Sequence, residues 1–343
     1  MHKHTVYGHA EWTTHRSCWR HMTHMGTIGT SSVVLSLFPP TLFCTAIAIF
    51  VVCYNEAVDR GHLPHWAPLL HVESLPFTLT APVLALLLVF RTNASFTRFD
   101  EARKAWGSNV NRTRDFARMA LAWVRSASDA DMLHCLLRHV KAYPFCLKDH
   151  LTAHADGDDG DDGLRGELAG ILEKHEVESL LSSQHRPNYV LQVLSEAVGM
   201  VQVTYFEKMA MDDNLTRFHD NVGTCERIFN TPIPLQYTRL TSRVLLLWHL
   251  ALPFGLWNAC GWLTIPATFM SVAALFYIEE VGVQIEEPFC ILALAAISKG
   301  IKDALDGLCA AHKQVSIVCS NCQQLDNAVQ NPGFRNVCTS SPV

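Results

Sequence analysis

Three long uncharged runs punctuate the chain, Val33–Tyr54, Leu75–Phe90 and Val244–Ile278, of 22, 16 and 35 residues. At about 1.5 Å per helical residue they reach roughly 33, 24 and 52 Å, against ~30 Å for the hydrocarbon core of a bilayer. The first is long enough to span, with a kink or break expected at Pro39-Pro40. The third is long enough for two crossings with a turn near Asn258–Gly261, and Trp248, Trp257 and Trp262 suit interfacial belts. The pattern predicts an all-α membrane protein with four membrane segments.

The short central run is the informative one. It turns abruptly into a charged, helix-patterned stretch at Arg91, as a passage from membrane to water does. Pro76 and Pro82 both fall inside it, and a proline in a helix interior removes a backbone hydrogen bond. Freed carbonyls at membrane depth need neighbouring helices, hydroxyls or water, and Thr78 and Thr80 sit between the prolines. The segment therefore reads as lining something wet. At i, i+4, i+8 spacing Leu75, Leu79 and Val83 form a wholly apolar face. On periodicity alone that face is either helix-packing core or the wall of a narrow constriction.

From Arg91 onward Phe96, Phe99, Trp106, Val110, Phe116 and Met119 recur at helical intervals, predicting a long amphipathic helix. Further helices are expected over about 129–152, 164–183 and 187–228, the last with Val198, Val201, Tyr205 and Met209 on one side. An acidic loop, DGDDGDDG, occupies 156–163; it lacks the glycine that a calcium-binding EF-hand needs at its sixth position, so it reads as an exposed loop. The implied division is an N-terminal arm (1–32), two membrane segments (33–90), a water-exposed helical region (91–235), two further membrane segments (236–285) and a C-terminal tail (286–343).

Charged residues make up 17% of the chain, low for a soluble protein, and the net charge of −5 gives no case for nucleic-acid binding. Locally the balance differs. Residues 91–125 hold eight basic against three acidic side chains, which marks that side as the cytoplasm-like face, with both termini on it. Six histidines crowd residues 1–32 without a spacing that fixes metal ligands, and Cys319 with Cys322 form a lone CxxC. No metal site and no cofactor is expected, and no cleavable signal peptide is evident. A glycine-rich phosphate loop, GxSxG and HExxH are all missing, which argues against an enzyme.

Three motifs in order, FRTNASFTRFDEARKAWG (90–107), TPIPLQYTR (231–239) and IEEVGVQIEEPF (278–289), resemble the bestrophin family of anion channels, in the style of its plant thylakoid voltage-dependent chloride channel group. The resemblance covers about residues 30–310. It implies a homopentamer with a central pore that conducts chloride and other small monovalent anions. By position it assigns the apolar neck to Leu75, Leu79 and Val83, the intracellular aperture to Gln236, and the motif residues to Arg91, Asn93, Arg98, Glu101, Arg103, Glu286, Glu287 and Pro288. Pro76, Thr78, Thr80 and Pro82 become the kink and hydroxyls of the pore helix. Animal members place a calcium clasp of acids shortly after their counterpart of EEPF. Residues 290–299 contain no Asp or Glu and Leu292–Ala295 reads LALA, so calcium gating is not expected. A bicarbonate channel of the same fold and a non-conducting membrane scaffold are the rival readings. Thylakoid membrane is the expected location.

Overall fold

The computed structural model describes residues 6–26, 32–64, 66–152 and 161–330, with side chains placed as far as Cys322. Twelve α-helices and no named strand occur among the described residues. They are α1 (His9–His15), α2 (Arg20–Gly26), α3 (Ser32–Asp59), α4 (Leu75–Trp123), α5 (Ala130–Thr152), α6 (Asp161–Leu168), α7 (Lys174–Leu181), α8 (Arg186–Met200), α9 (Tyr205–Asn230), α10 (Leu235–Cys260), α11 (Thr264–Glu286) and α12 (Leu294–Gln330). Among the described residues, three stretches are long and apolar enough to cross a membrane: Val33–Asp59, Leu75–Trp123 and Leu235–Glu286. The third comprises two helices, α10 and α11, which reverse at Gly261 (φ +50°), a left-handed backbone that glycine tolerates without steric cost.

Two compact units form, each from two segments: Met1–Ala105 with Thr224–Ala293, and Trp106–Gly223 with Leu294–Val343. In the first, α3, α10 and α11 pack on one another. Its apolar centre gathers Val33, Leu37 and Cys44 of α3, Leu84 and Leu88 of α4, Leu245 of α10, and Val272 and Phe276 of α11. The loop before α4 is pinned to α3 by Asn55, whose amide nitrogen donates to the Leu70 carbonyl (2.9 Å) while its oxygen accepts from the Leu70 N–H (2.7 Å). A buried asparagine satisfied at both ends fixes the loop without an orphaned polar group.

The second unit packs α5 against α8, α12 and α6. Phe116, Tyr143 and Phe218 meet edge to face in its core, and the Tyr143 hydroxyl donates to Asn109 Oδ1 (3.3 Å). Ion pairs tie its surface helices, among them Lys148–Glu167 (2.5 Å), Lys141–Asp306 (2.7 Å) and Arg186–Asp149 (2.6 Å). Burial pushes the Cys146 thiol far above its ordinary value, consistent with an inert core cysteine.

Several sequence expectations change. The chain does not break at Pro39-Pro40; both lie inside α3, where the apolar face from Val33 to Val52 is buried against its neighbours. Pro76 is the second residue of α4, in the first turn, where its missing N–H has no helical partner to lose, so Pro82 alone is interior. The central run and the amphipathic stretch after it are one 49-residue helix. The expected 187–228 helix divides at 201–204, leaving Val198 and Val201 buried while Tyr205 and Met209 are exposed. Residues 156–160 of the acidic loop lie outside the described residues, and Asp161–Gly163 begin α6. Helices α1 and α2 bury no side chain.

Candidate functional site

Helix α4 presents two opposed faces. Leu75, Leu79 and Val83 are 64–66% exposed, whereas Leu84 and Leu88 are 3% and 2% exposed in the apolar centre. At about 100° per residue, the first set centres roughly 160° from the second. Leu86 and Phe90 extend the exposed stripe and were missed in the sequence, because their spacing from Val83 is i+3 and i+7 rather than i+4. One turn beyond Phe90 the same face becomes polar, with exposed Asn93 and Thr97, then Lys104. The buried face carries Arg91, Ser95 and Ala102.

Four contacts hold the start of α4 against α10. The Val72 N–H donates to the Phe254 carbonyl (3.0 Å) and Trp248 Nε1 donates to Thr80 Oγ1 (3.1 Å). Thr80 in turn donates to the Pro76 carbonyl (2.7 Å), and Thr78 to that of Ser74 (3.2 Å), so both hydroxyls are engaged with the helix's own backbone. Phe77 stacks edge-on with Trp248, and its ring fills the space over Gly255. A Cβ at 255 would lie 2.6 Å from Phe77 Cδ2. Gly255→Ala is therefore expected to push Phe77 and the first turn of α4 aside at ~1–3 kcal/mol. A thermal melt of the purified protein in detergent checks this; an unshifted midpoint would show the ring moves freely.

Farther along α4, the Arg91 guanidinium, 1% exposed, pairs through Nη1 with Glu279 of α11. Arg98 sits two turns on and binds three carbonyls: Ile228 (2.6 Å), Thr231 (2.6 Å) and Glu286 (3.3 Å). Those of Ile228 and Thr231 belong to the C-terminal end of α9, where orphaned carbonyls and the helix dipole favour a cation. Glu286 completes the junction by accepting from the Ile233 N–H (3.0 Å). The three motifs thus converge: Arg98 of the first reads the backbone of the second and third, and Glu286 of the third holds the turn of the second. That turn leads through Pro234 into α10, placing Gln236, exposed, in its first turn. Arg98, Phe229, Val283, Glu286, Pro288 and Phe289 line a cavity of about 270 Å³ there.

Of the remaining motif residues, Glu287 and Pro288 also border this cavity, and Glu101 and Arg103 form ion pairs. Glu101 pairs with Arg227, Arg103 with Asp100 (2.6 Å), and Glu287 accepts from the Cys290 thiol (3.1 Å). Pro288 is buried in a short 3-10 turn after α11. His9, His15, His21 and His24 are exposed and join no three-ligand group among the described residues; His2 and His4 lie outside them. Cys319 and Cys322 are exposed free thiols on α12.

Residues 11–306 match the family described as Bacterial/Fungal Bestrophin protein. The chain belongs to the bestrophin family. Among curated relatives of this family, the chloroplastic voltage-dependent chloride channel 2 of Arabidopsis thaliana is 43% identical over 293 residues, 85% of this chain and 70% of that one. A voltage-dependent anion channel-forming protein of Ralstonia nicotianae is 32% identical over 80% of this chain and 88% of its own. A bacterial bestrophin homologue from Klebsiella pneumoniae shares the fold, with a TM-score of 0.68 at 23% identity, covering 80% of this chain and 98% of that one. In this bestrophin, the contact that joins the first and third motifs at Arg98 spans 188 positions of sequence.

Proposed function

We propose that this bestrophin is the protomer of a homopentameric, chloride-conducting anion channel of the thylakoid membrane. The relatives named as voltage-dependent chloride and anion channels support anion conduction, and the chloroplastic ones support the location. Four crossings follow if α3, the first part of α4, α10 and α11 each span. The observation that carries the pore assignment is the exposed apolar stripe Leu75, Leu79, Val83 on a helix whose opposite face buries Leu84 and Leu88. Five copies arranged around an axis would turn that stripe into a dry constriction.

The mechanism is passive. Anions enter a vestibule of basic side chains, shed part of their hydration at the neck and pass the Gln236 ring. No fixed charge lies in the neck, which is physically sensible, since a cation there would hold the anion it should release. Reconstitution into a planar bilayer tests the reading: unitary currents that reverse near the chloride equilibrium potential support it, and silent pentamers would leave a scaffold. A detergent-solubilised particle of monomer or dimer mass would count against the assembly.

Gln236 supplies an amide that both donates and accepts hydrogen bonds, so the aperture should filter weakly. Gln236→Glu is expected to lower single-channel anion conductance and Gln236→Arg to raise it at low salt. Both effects should fade as the Debye length falls from ~10 Å at 0.1 M to ~3 Å at 1 M. Equal conductance in the two variants at both salt levels would remove Gln236 from the conduction path.

A further inference from the structure

Within the second unit, α5 and α7 bring together a cysteine, a histidine and a carboxylate that the channel reading does not use. Cys135 and His139 lie one turn apart on α5, and Glu176 reaches them from α7, with the three ligand atoms all within 4.8 Å of one another. His139 is buried and Cys135 half-buried. We propose that this group is a transition-metal site, selective for zinc, that clips α7 to α5.

The donor set decides the metal class. One thiolate sulfur, one imidazole nitrogen and one carboxylate oxygen suit zinc, whereas calcium and magnesium take oxygen shells. Geometry agrees. Cys135 Sγ lies 3.5 Å from His139 Nδ1, and a tetrahedral ion with Zn–S ~2.3 Å and Zn–N ~2.0 Å has an S···N edge of about 3.5 Å. Two corners of the tetrahedron are thus already spaced, and the carboxylate needs only a small approach.

Glu176 has a lone pair to give. Its Oε2 accepts from Arg138 Nε (3.2 Å) and the Glu173 N–H (2.8 Å), while Oε1 accepts only from Arg138 Nη2 (2.8 Å). A carboxylate offers about four lone-pair sites, so one on Oε1 remains for the ion. Arg138 then plays the part that outer partners play at metal sites, fixing the ligating carboxylate in place. Although burial opposes ionisation of Glu176, these bonds from Arg138 and Glu173 hold it below its ordinary range. Burial keeps His139 low, hence neutral and able to ligate. The Cys135 thiol is raised by burial, so binding must displace its proton to solvent. Nδ1 now faces the Cys135 carbonyl (2.9 Å); coordination through Nδ1 places the ring proton on Nε2 instead. Water takes the fourth position.

The test uses the full-length protein in detergent carrying Cys319→Ser and Cys322→Ser, so that the exposed pair contributes no thiolate. Cobalt(II) is titrated as a spectroscopic probe. The expected result is a thiolate-to-cobalt charge-transfer band with tetrahedral ligand-field absorption, saturating at one ion per chain and bleached by zinc, which binds such sites more tightly. Cys135→Ser should abolish the charge-transfer band, and Glu176→Gln should weaken cobalt binding at least tenfold. Far-UV circular dichroism confirms that each variant stays folded, and His139→Gln serves where one does not. Absence of the band in the parent protein overturns the site, as does its persistence in Cys135→Ser or an unchanged affinity in Glu176→Gln.

Discussion

Arg91→Met is expected to destabilise the detergent-solubilised protein by about 3–5 kcal/mol, the scale for breaking one side of a buried ion pair. The Arg91 side chain is 1% exposed and Glu279 12%, so removing the guanidinium leaves a carboxylate in an apolar interior with no counter-charge. The pair is not the best possible use of the space, because Arg91 Nε and Nη2 are buried without a hydrogen-bond partner. Replacing both members by apolar side chains is often neutral or stabilising. Arg91→Met with Glu279→Leu should therefore recover most of the loss. Thermal and denaturant melts of the parent, both single variants and the double variant measure the coupling directly. A single variant with parental stability, or a double variant as unstable as the sum of the singles, would show that the pair does not hold α4 to α11.

The same pair shows what the sequence could and could not disclose. Its two members stand at the edges of uncharged runs, Arg91 just after Phe90 and Glu279 just after Ile278. Each looks like an ordinary boundary charge when read alone, and only the packing of α4 beside α11 reveals that they neutralise one another. Helix positions within the membrane runs were legible, since long uncharged stretches admit little else. Breaks were less so. Pro39-Pro40 signals a break by local chemistry, yet burial of the α3 face outweighs it, whereas residues 201–204 contain neither proline nor glycine and the helix stops there. The exposed stripe of α4 was visible as a period but not as an outside or an inside. Its opposite face settles that: Leu84 and Leu88 are equally apolar, and it is these that the protomer buries. Cys135, His139 and Glu176 were invisible as a group, because the 36 residues between His139 and Glu176 bear no spacing rule and only the folded chain brings α7 to α5.

Alanine at Leu75, Leu79 and Val83 together is expected to leave the protomer folded and to raise the open probability of the channel. The argument starts from burial. These side chains are 64–66% exposed, so their truncation removes little packing within one protomer, unlike Leu84 or Leu88, where leucine to alanine would cost ~2–5 kcal/mol each. In an axial ring, larger apolar side chains narrow the passage and exclude water, and shortening them widens and wets it. Each fall of ~1.4 kcal/mol in the barrier is tenfold in rate, and a gain of at least that order in open-state current is the expected scale. Anion selectivity should weaken in parallel, since a wider, wetter neck demands less dehydration. If the stripe instead packs against a neighbouring copy, the same substitutions delete buried methylenes across the interface, and the assembly should dissociate on size-exclusion chromatography. Single-channel recording and particle mass on the same preparation separate the two. A stable assembly with parental current would remove Leu75, Leu79 and Val83 from both roles and leave them facing lipid.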